Sequence, residues 1–342
     1  MTEPLILAIE SSCDDTAASV LRGFEVLSNV RHTQVDHAKY GGVVPEIASR
    51  QHVESISAIV DQALTDAQVA TSDLGLIAVT QGPGLLGSLL VGHNFAKSMA
   101  MALNIPFVNV HHMHGHMLAC MLTEKGIQDQ PMRDFPFLAL TVSGGHTQIV
   151  QVSSATDMLI LGETMDDAVG EAFDKAAKIL SLPYPGGPEI DQRAQSGNAE
   201  RFTLSSAAMP NLNFSYSGLK TNIIQAIQRR QKQVPDTMVS EIHDWCASIQ
   251  CAMVAPLIAQ LKLAQQQTGI SRVVLAGGVA ANSQLRNDLQ QWALSDHIEL
   301  YLPPMSYTTD NAAMIGAAGW AQYLESAHGQ WHDAAQAKLP IS

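Results

Sequence analysis

The chain is short of cysteine, of positive charge and of long hydrophobic runs, and each shortage excludes something. Its four cysteines, Cys13, Cys120, Cys246 and Cys251, form no CxxC pair, so neither a zinc ribbon nor a disulfide framework is indicated and reduced thiols are expected. Lysine and arginine number 19 against 32 aspartates and glutamates, a formal net charge of −13. Phosphate binding needs concentrated positive charge, so a generally basic nucleic-acid coat is excluded. An RNA partner would have to meet a local patch or another subunit. Lys220, Arg229, Arg230 and Lys232 are the candidates for such a patch, or simply an exposed helix surface. No uncharged apolar run reaches the roughly 18 residues of a membrane span. The start Met1-Thr2-Glu3-Pro4-Leu5 lacks a basic segment leading into an apolar core. The expectation is a cytoplasmic protein with no membrane contact.

What remains is ample for two cores: 342 residues, 46% of them hydrophobic and 15% charged. Leu5 to Ile9 is an apolar run, Glu10 to Thr16 a polar turn, and Ala17 to Leu21 a second run, which together predict a hairpin. Phe137 to Val142, the turn Ser143 to Thr147 and Gln148 to Val152 repeat the device roughly 130 residues later, a spacing that suggests duplication rather than a solenoid. Strand and helix signals alternate after each hairpin: Leu76 to Thr80, Ser88 to Leu103 and Phe107 to Val110 in the first half, Val273 to Ala276 before Gly277-Gly278 in the second. Alternation predicts an α/β fold with mostly parallel sheets covered by helices. The charged segment from Glu124 to Pro136, with Pro131 inside it, is the natural boundary.

Histidine is concentrated in Val110-His111-His112-Met113-His114-Gly115-His116-Met117. His112 and His116, four apart, fall on one helix face and suit a metal, although buried histidines are often structural. A zinc-protease helix needs glutamate directly after the first histidine; Met113 stands there instead, which disfavours that chemistry. A third ligand is available in Asp310, just ahead of the apolar run Ala312 to Ala318, but Thr309 and Asp310 both also suit a helix N-cap. Gly82-Pro83-Gly84-Leu85-Leu86-Gly87-Ser88 has P-loop glycine spacing without the lysine, so it reads as packing at a strand-to-helix turn. Ser143-Gly144-Gly145-His146-Thr147 and Gly277-Gly278-Val279-Ala280-Ala281-Asn282 are glycine turns that let backbone amides approach a phosphate or carboxylate. Asp167, Glu171 and Asp174 are spaced for one helix face, with a solvated charged face as the usual explanation. Pro183 to Asp191 reads as a rigid loop, to wrap a ligand or to connect domains.

In order, the segments Ala8 to Thr16, Lys97-Ser98 through Pro106 to His116, Val142 to Thr147, Asp166 to Lys175, Tyr184 to Pro188, Gly277 to Asn282 and Thr309 to Asn311 resemble the TsaD family of tRNA adenosine threonylcarbamoyltransferases, once described as O-sialoglycoprotein endopeptidases. The resemblance runs through nearly the whole chain. It implies the duplicated actin-like fold of sugar and acetate kinases (ASKHA), with subdomains 1–130 and 131–342, ligand in the interdomain cleft, and a C-terminal helix free to pack back on the first subdomain. It implies one divalent metal, Fe2+ with Zn2+ as the alternative, on His112, His116 and Asp310. Threonylcarbamoyl-AMP would contact Val142, Ser143, Gly144, Gly145, His146, Asp174, Gly187, Asp191 and Asn282. His114 stands where relatives often carry glutamate.

The implied reaction moves the threonylcarbamoyl group from its mixed anhydride with AMP to the exocyclic amine of the adenosine 3′ of the anticodon, in tRNAs reading codons that begin with A. The implied partners are tRNA, a TsaB-like paralogue and a TsaE-like ATPase; self-association stays open. His146 and Asp14 are candidates for proton removal. A metallopeptidase and a non-catalytic actin-like scaffold are the alternative readings.

Overall fold

A computed structural model describes residues 3–35, 37, 42–124, 131–204 and 209–341; segment 125–130 of the expected boundary lies outside them. Two compact units emerge. The first comprises Met1–Phe135, Ser153–Met158 and Pro303–Ser342, and the second Pro136–Val152 and Leu159–Leu302.

Unit 1 contains β1 (Leu5–Glu10), β2 (Asp15–Arg22), β3 (Glu25–Thr33), α1 (Pro45–Ala67), β4 (Leu74–Gly82), α2 (Leu86–Leu103), β5 (Phe107–His111), α3 (His112–Leu118) and β6 (Thr123–Glu124). The sheet order is β5-β4-β1-β2-β3-β6. Ile6 to Ile9 are fully buried because both faces of β1 are covered, which is why its apolar run is continuous rather than alternating. Leu7 and Ile9 join Ile56, Val60, Ala96 and Ala100 of α1 and α2 in one core. On the opposite face Ala8 meets the last helix of the chain at Gly316, as a period of two requires.

Unit 2 contains β7 (Phe137–Val142), β8 (Thr147–Val152), β9 (Met158–Glu163), α4 (Val169–Ile179), α5 (Gly186–Ala194), α6 (Ser217–Gln231), α7 (Thr237–Ser240), α8 (Ile242–Thr268), β10 (Arg272–Ala276), α9 (Ser283–Asp296) and β11 (Glu299–Tyr301); α10 (Ala312–Leu324) returns to unit 1. Its sheet order is β11-β10-β7-β8-β9. Position for position this is the order β5-β4-β1-β2-β3 of unit 1, the duplicated actin-like architecture.

Both sheets are mixed rather than mostly parallel. β1 pairs antiparallel with β2, and β7 with β8, because tight turns admit only that direction. The strands that return through a helix, β4 and β10, pair parallel with β1 and β7. α8 is long and apolar enough to cross a membrane by length and composition. Its Trp245, Ile249, Val254, Leu257 and Leu261 instead form the centre of the unit 2 core. The segment from Pro183 to Asp191 is not a loop throughout, since α5 begins at Gly186. Pro188 in the first turn needs no amide partner, and the carboxylate of Asp174 accepts the Gly186 amide at 2.7 Å. That cap comes from another helix, so local sequence could not announce it.

Candidate metal centre and glycine turns

The end of β5 and the start of α3 place four buried histidines in one turn and a half of chain. They divide into two pairs with different partners. His111 caps α3 by accepting the Met113 amide at 3.1 Å on Nδ1, and its Nε2 lies 2.9 Å from the Leu339 carbonyl. His114 stacks on it, ring centroids 4.7 Å apart; its Nε2 is 3.1 Å from the Ile341 carbonyl and its Nδ1 3.1 Å from Gln322 Nε2. A carbonyl only accepts, so both imidazoles donate from Nε2 to the C-terminal segment. Both nitrogens of His114 are thus committed away from any metal, and burial lowers its pKa.

His112 and His116 face the other way. Their rings meet edge to face at 4.8 Å, and Asp310 Oδ1 lies 3.5 Å from His112 Nε2 and 3.2 Å from His116 Nε2. One ligand atom from each of the three falls within 4.8 Å of the others, the only such His/Cys/Asp/Glu group among the described residues. The helix-cap alternative for Asp310 is resolved by its neighbour: Asn311 caps α10, its side chain accepting the Met314 amide at 2.9 Å. Arg31 holds the turn through Thr309 Oγ1 and, at 3.5 Å, the Asp310 carbonyl.

The electrostatics are those of a cation site. Burial opposes charge on His112, yet the carboxylates of Glu10 and Asp310 raise its pKa well above the usual imidazole range. Burial likewise opposes ionisation of Asp310, but His112 and His116 bring it well below the carboxylate range. His116 turns Nε2 toward Asp310, and its Nδ1, on the other side of the ring, is buried without a hydrogen-bond partner among the described residues. Two imidazole nitrogens and one carboxylate oxygen, with further positions open, are a donor set that holds Fe2+ or catalytic Zn2+. The residues therefore fit a divalent metal.

Reading the sequence assigned no role to Glu10, Thr80, Arg31 or Asn311. For Glu10 the signal was present: a carboxylate closes an otherwise apolar strand and is fully buried, which demands partners. Asp14 sits half-buried in the turn after β1, where its carbonyl accepts the Gln34 amide at 3.1 Å.

The other predicted residues belong to unit 2. Ser143, Gly144, Gly145 and His146 form the turn between β7 and β8; Ser143 Oγ accepts the Gly145 amide at 3.3 Å and the His146 amide at 3.0 Å. Val142 is fully buried, so only its backbone can face a ligand. Its carbonyl lies where a side chain on Gly277 would project, and Gly277 has φ 89°, so this turn requires glycine twice over. Asn282 caps α9 through the Leu285 amide at 3.0 Å and donates to Gln250 Oε1 at 3.0 Å. Asp191 accepts from the Ser283 amide at 3.1 Å and hydroxyl at 2.6 Å. Asp174 holds Gly186, next to Gly187, and burial raises its pKa. Asp167 precedes α4 rather than sharing its face, and Lys175 bridges Asp167 at 2.5 Å and Glu171 at 2.9 Å.

The glycine-rich turn from Gly82 to Gly87 is filled by the chain itself. A side chain on Gly84 would strike the Ser12 carbonyl, and the Leu85 amide is spent on that carbonyl at 2.7 Å. Of the four candidate cations, Lys220, Arg229 and Lys232 are exposed, whereas Arg230 is tied to Glu241.

The family model described as TsaD: tRNA N6-adenosine threonylcarbamoyltransferase matches residues 25–317. A tRNA N6-adenosine threonylcarbamoyltransferase of Christiangramia forsetii is 50% identical over 333 residues, 97% of each chain. Another, of Trichlorobacter lovleyi, is 51% identical over 94% of this chain and 92% of its own. Among solved structures, HypF of T. kodakarensis superposes with a TM-score of 0.64 at 14% identity, over 95% of this chain and 48% of that longer one. That likeness concerns the fold alone.

Proposed function

The chain belongs to the tRNA N6-adenosine threonylcarbamoyltransferase family, and on that premise we propose that it builds the modified adenosine from threonylcarbamoyl-AMP with a metal on His112, His116 and Asp310. The modification of tRNA adenosine at N6 follows from the family. The donor, the adenosine 3′ of the anticodon, and the ion, which we assign as Fe2+ with Zn2+ fitting the same donors, are our reading.

In the transfer the adenine amine attacks the carbamoyl carbon, a C–N bond forms, the bond to the phosphate oxygen breaks, AMP departs and the amine loses one proton. The carbonyl is already activated, so the protein has mainly to position the reactants and stabilise charge. A metal held by His112, His116 and Asp310 supplies Lewis acidity toward substrate oxygens. We assign donor binding to the turn from Val142 to His146 together with Asp174, Gly187, Asp191 and Asn282. The Gly145 and His146 amides, held by Ser143 Oγ, would exchange that partner for ligand oxygen. Adenine nitrogen is a weak nucleophile, and His146 or Asp14 is assigned to take its proton.

The net charge of −13 fits a chain that meets RNA together with other subunits. A TsaB-like paralogue and a TsaE-like ATPase are the partners we assign, with Lys220, Arg229 and Lys232 offered as the tRNA-facing cations and the cytoplasm as the compartment.

The observation that carries the metal-assisted reading is the convergence of the three donor atoms within 4.8 Å. Its test is reconstitution with transcript tRNA, the donor and the partners, followed by nucleoside mass spectrometry. The wild type should form the modified nucleoside, and the His112→Ala/His116→Ala double variant should lose metal and product together. Full product from the metal-free double variant would refute the reading.

A further inference from the structure

We propose that Glu10 is a positioning residue for the metal centre: its carboxylate fixes His112 with Nδ1 protonated, so that the Nε2 lone pair is aimed at the ion. The proposal rests on His112 being a ligand. Glu10 closes β1 and is fully buried. Its Oε1 accepts the Ser12 amide at 2.5 Å, and its Oε2 accepts the Thr80 hydroxyl at 2.5 Å and lies 3.1 Å from His112 Nδ1. An ionised carboxylate only accepts, and both of its oxygens already do so from the protein frame, so His112 must present Nδ1–H to it. Ser12 Oγ, 3.3 Å from the same nitrogen, adds a second contact on that side. The imidazole is then left with Nε2 toward Asp310. A carboxylate behind a ligating imidazole both selects the tautomer and makes the ligand nitrogen more basic.

The geometry separates His112 from the other histidines of the cluster. His114 uses Nε2 as a donor to a carbonyl, the opposite tautomer, which cannot ligate through that atom. His116 has no partner behind its Nδ1 among the described residues. Of the two histidine ligands, His112 is therefore the oriented one. Thr80 belongs to β4, the strand beside β1, so the support reaches the ion from the middle of the sheet rather than from a loop.

The test measures Zn2+ affinity by competition with a chromophoric chelator, on metal-stripped full-length protein, beside thermal unfolding of the same stripped samples. Wild type should bind one Zn2+ and His116→Ala should bind none; failure here refutes the site itself and not only the role of Glu10. In Glu10→Gln an amide NH2 must face either the Ser12 amide or both the Thr80 hydroxyl and His112 Nδ1, and the carboxylate charge is lost, so Zn2+ affinity should fall about 10- to 100-fold while the stripped protein still unfolds cooperatively. Unchanged affinity in a folded Glu10→Gln overturns the proposal. If that variant does not fold, Thr80→Val decides: it keeps the carboxylate but removes one of its anchors. An affinity about threefold or more below wild type supports the proposal, as an effect passed on through the ligand's supports, and wild-type affinity overturns it.

Discussion

The two sheets follow one strand order, yet the turns at their strand ends carry opposite chemistry. In unit 1, β1 ends in Glu10 and β5 runs into four histidines; in unit 2, β7, the counterpart of β1, runs into Ser143-Gly144-Gly145, and β10, the counterpart of β4, into Gly277-Gly278. The first set offers lone pairs and negative charge to a cation. The second offers backbone amides and open space, since side chains on Gly144, Gly145 or Gly278 would meet nothing within 4 Å. On the proposed reading, the same frame presents both kinds of ligand group, and the residues that follow β1, β5, β7 and β10 decide which kind each end would meet.

Variants that remove the cation chemistry should test the comparison most severely. His112→Ala and His116→Ala should each abolish stoichiometric metal by elemental analysis and lower modification by about a hundredfold or more, the scale of losing a metal's charge stabilisation. Substituting Ser143 by Ala should leave metal content intact and shift the KM for the donor, because the Gly145 and His146 amides lose the hydroxyl that holds them. Metal loss in Ser143→Ala would break the division of labour.

Acid should separate the regions next. Metal must displace a proton from His112, whose pKa is raised by Glu10 and Asp310 against burial, so affinity should climb with pH through the neutral range. The sign for the stripped protein is reversed. A group with a raised folded pKa stabilises fully below its unfolded value and loses that contribution as pH rises through the folded one. Titration of metal affinity and of stripped-protein Tm against pH checks both directions.

Asp310 and Asn311 sharpen the contrast at the scale of one residue. Asp310→Asn should lose metal affinity with little change in Tm, and Asn311→Ala should cost about 1 kcal/mol of stability as a lost cap. The smallest effect on the metal belongs to Asp174→Ala, which should lower Tm by a few degrees through the uncapped start of α5 and raise the KM for the donor while metal content stays unchanged.

Much of this frame was readable beforehand. The repeated hairpins stood out because an apolar run broken by a polar turn needs no tertiary knowledge, and His112 and His116 stood out by their spacing. Non-local contacts were hidden. Asp174 capping α5, Glu10 behind His112, and the carbonyls of Leu339 and Ile341 that claim His111 and His114 each join residues distant in the chain. Spacing left the N-cap competition at Thr309 and Asp310 open for a local reason: three consecutive polar residues all suit a cap, and only backbone geometry selects Asn311.

The central claim is that one face of α3 binds metal and the other does not. Metal content of wild type, His116→Ala and His114→Ala, purified in parallel without added metal, tests it directly. The account predicts metal in wild type and in His114→Ala, and none in His116→Ala. Equal content in all three, or loss confined to His114→Ala, would contradict it.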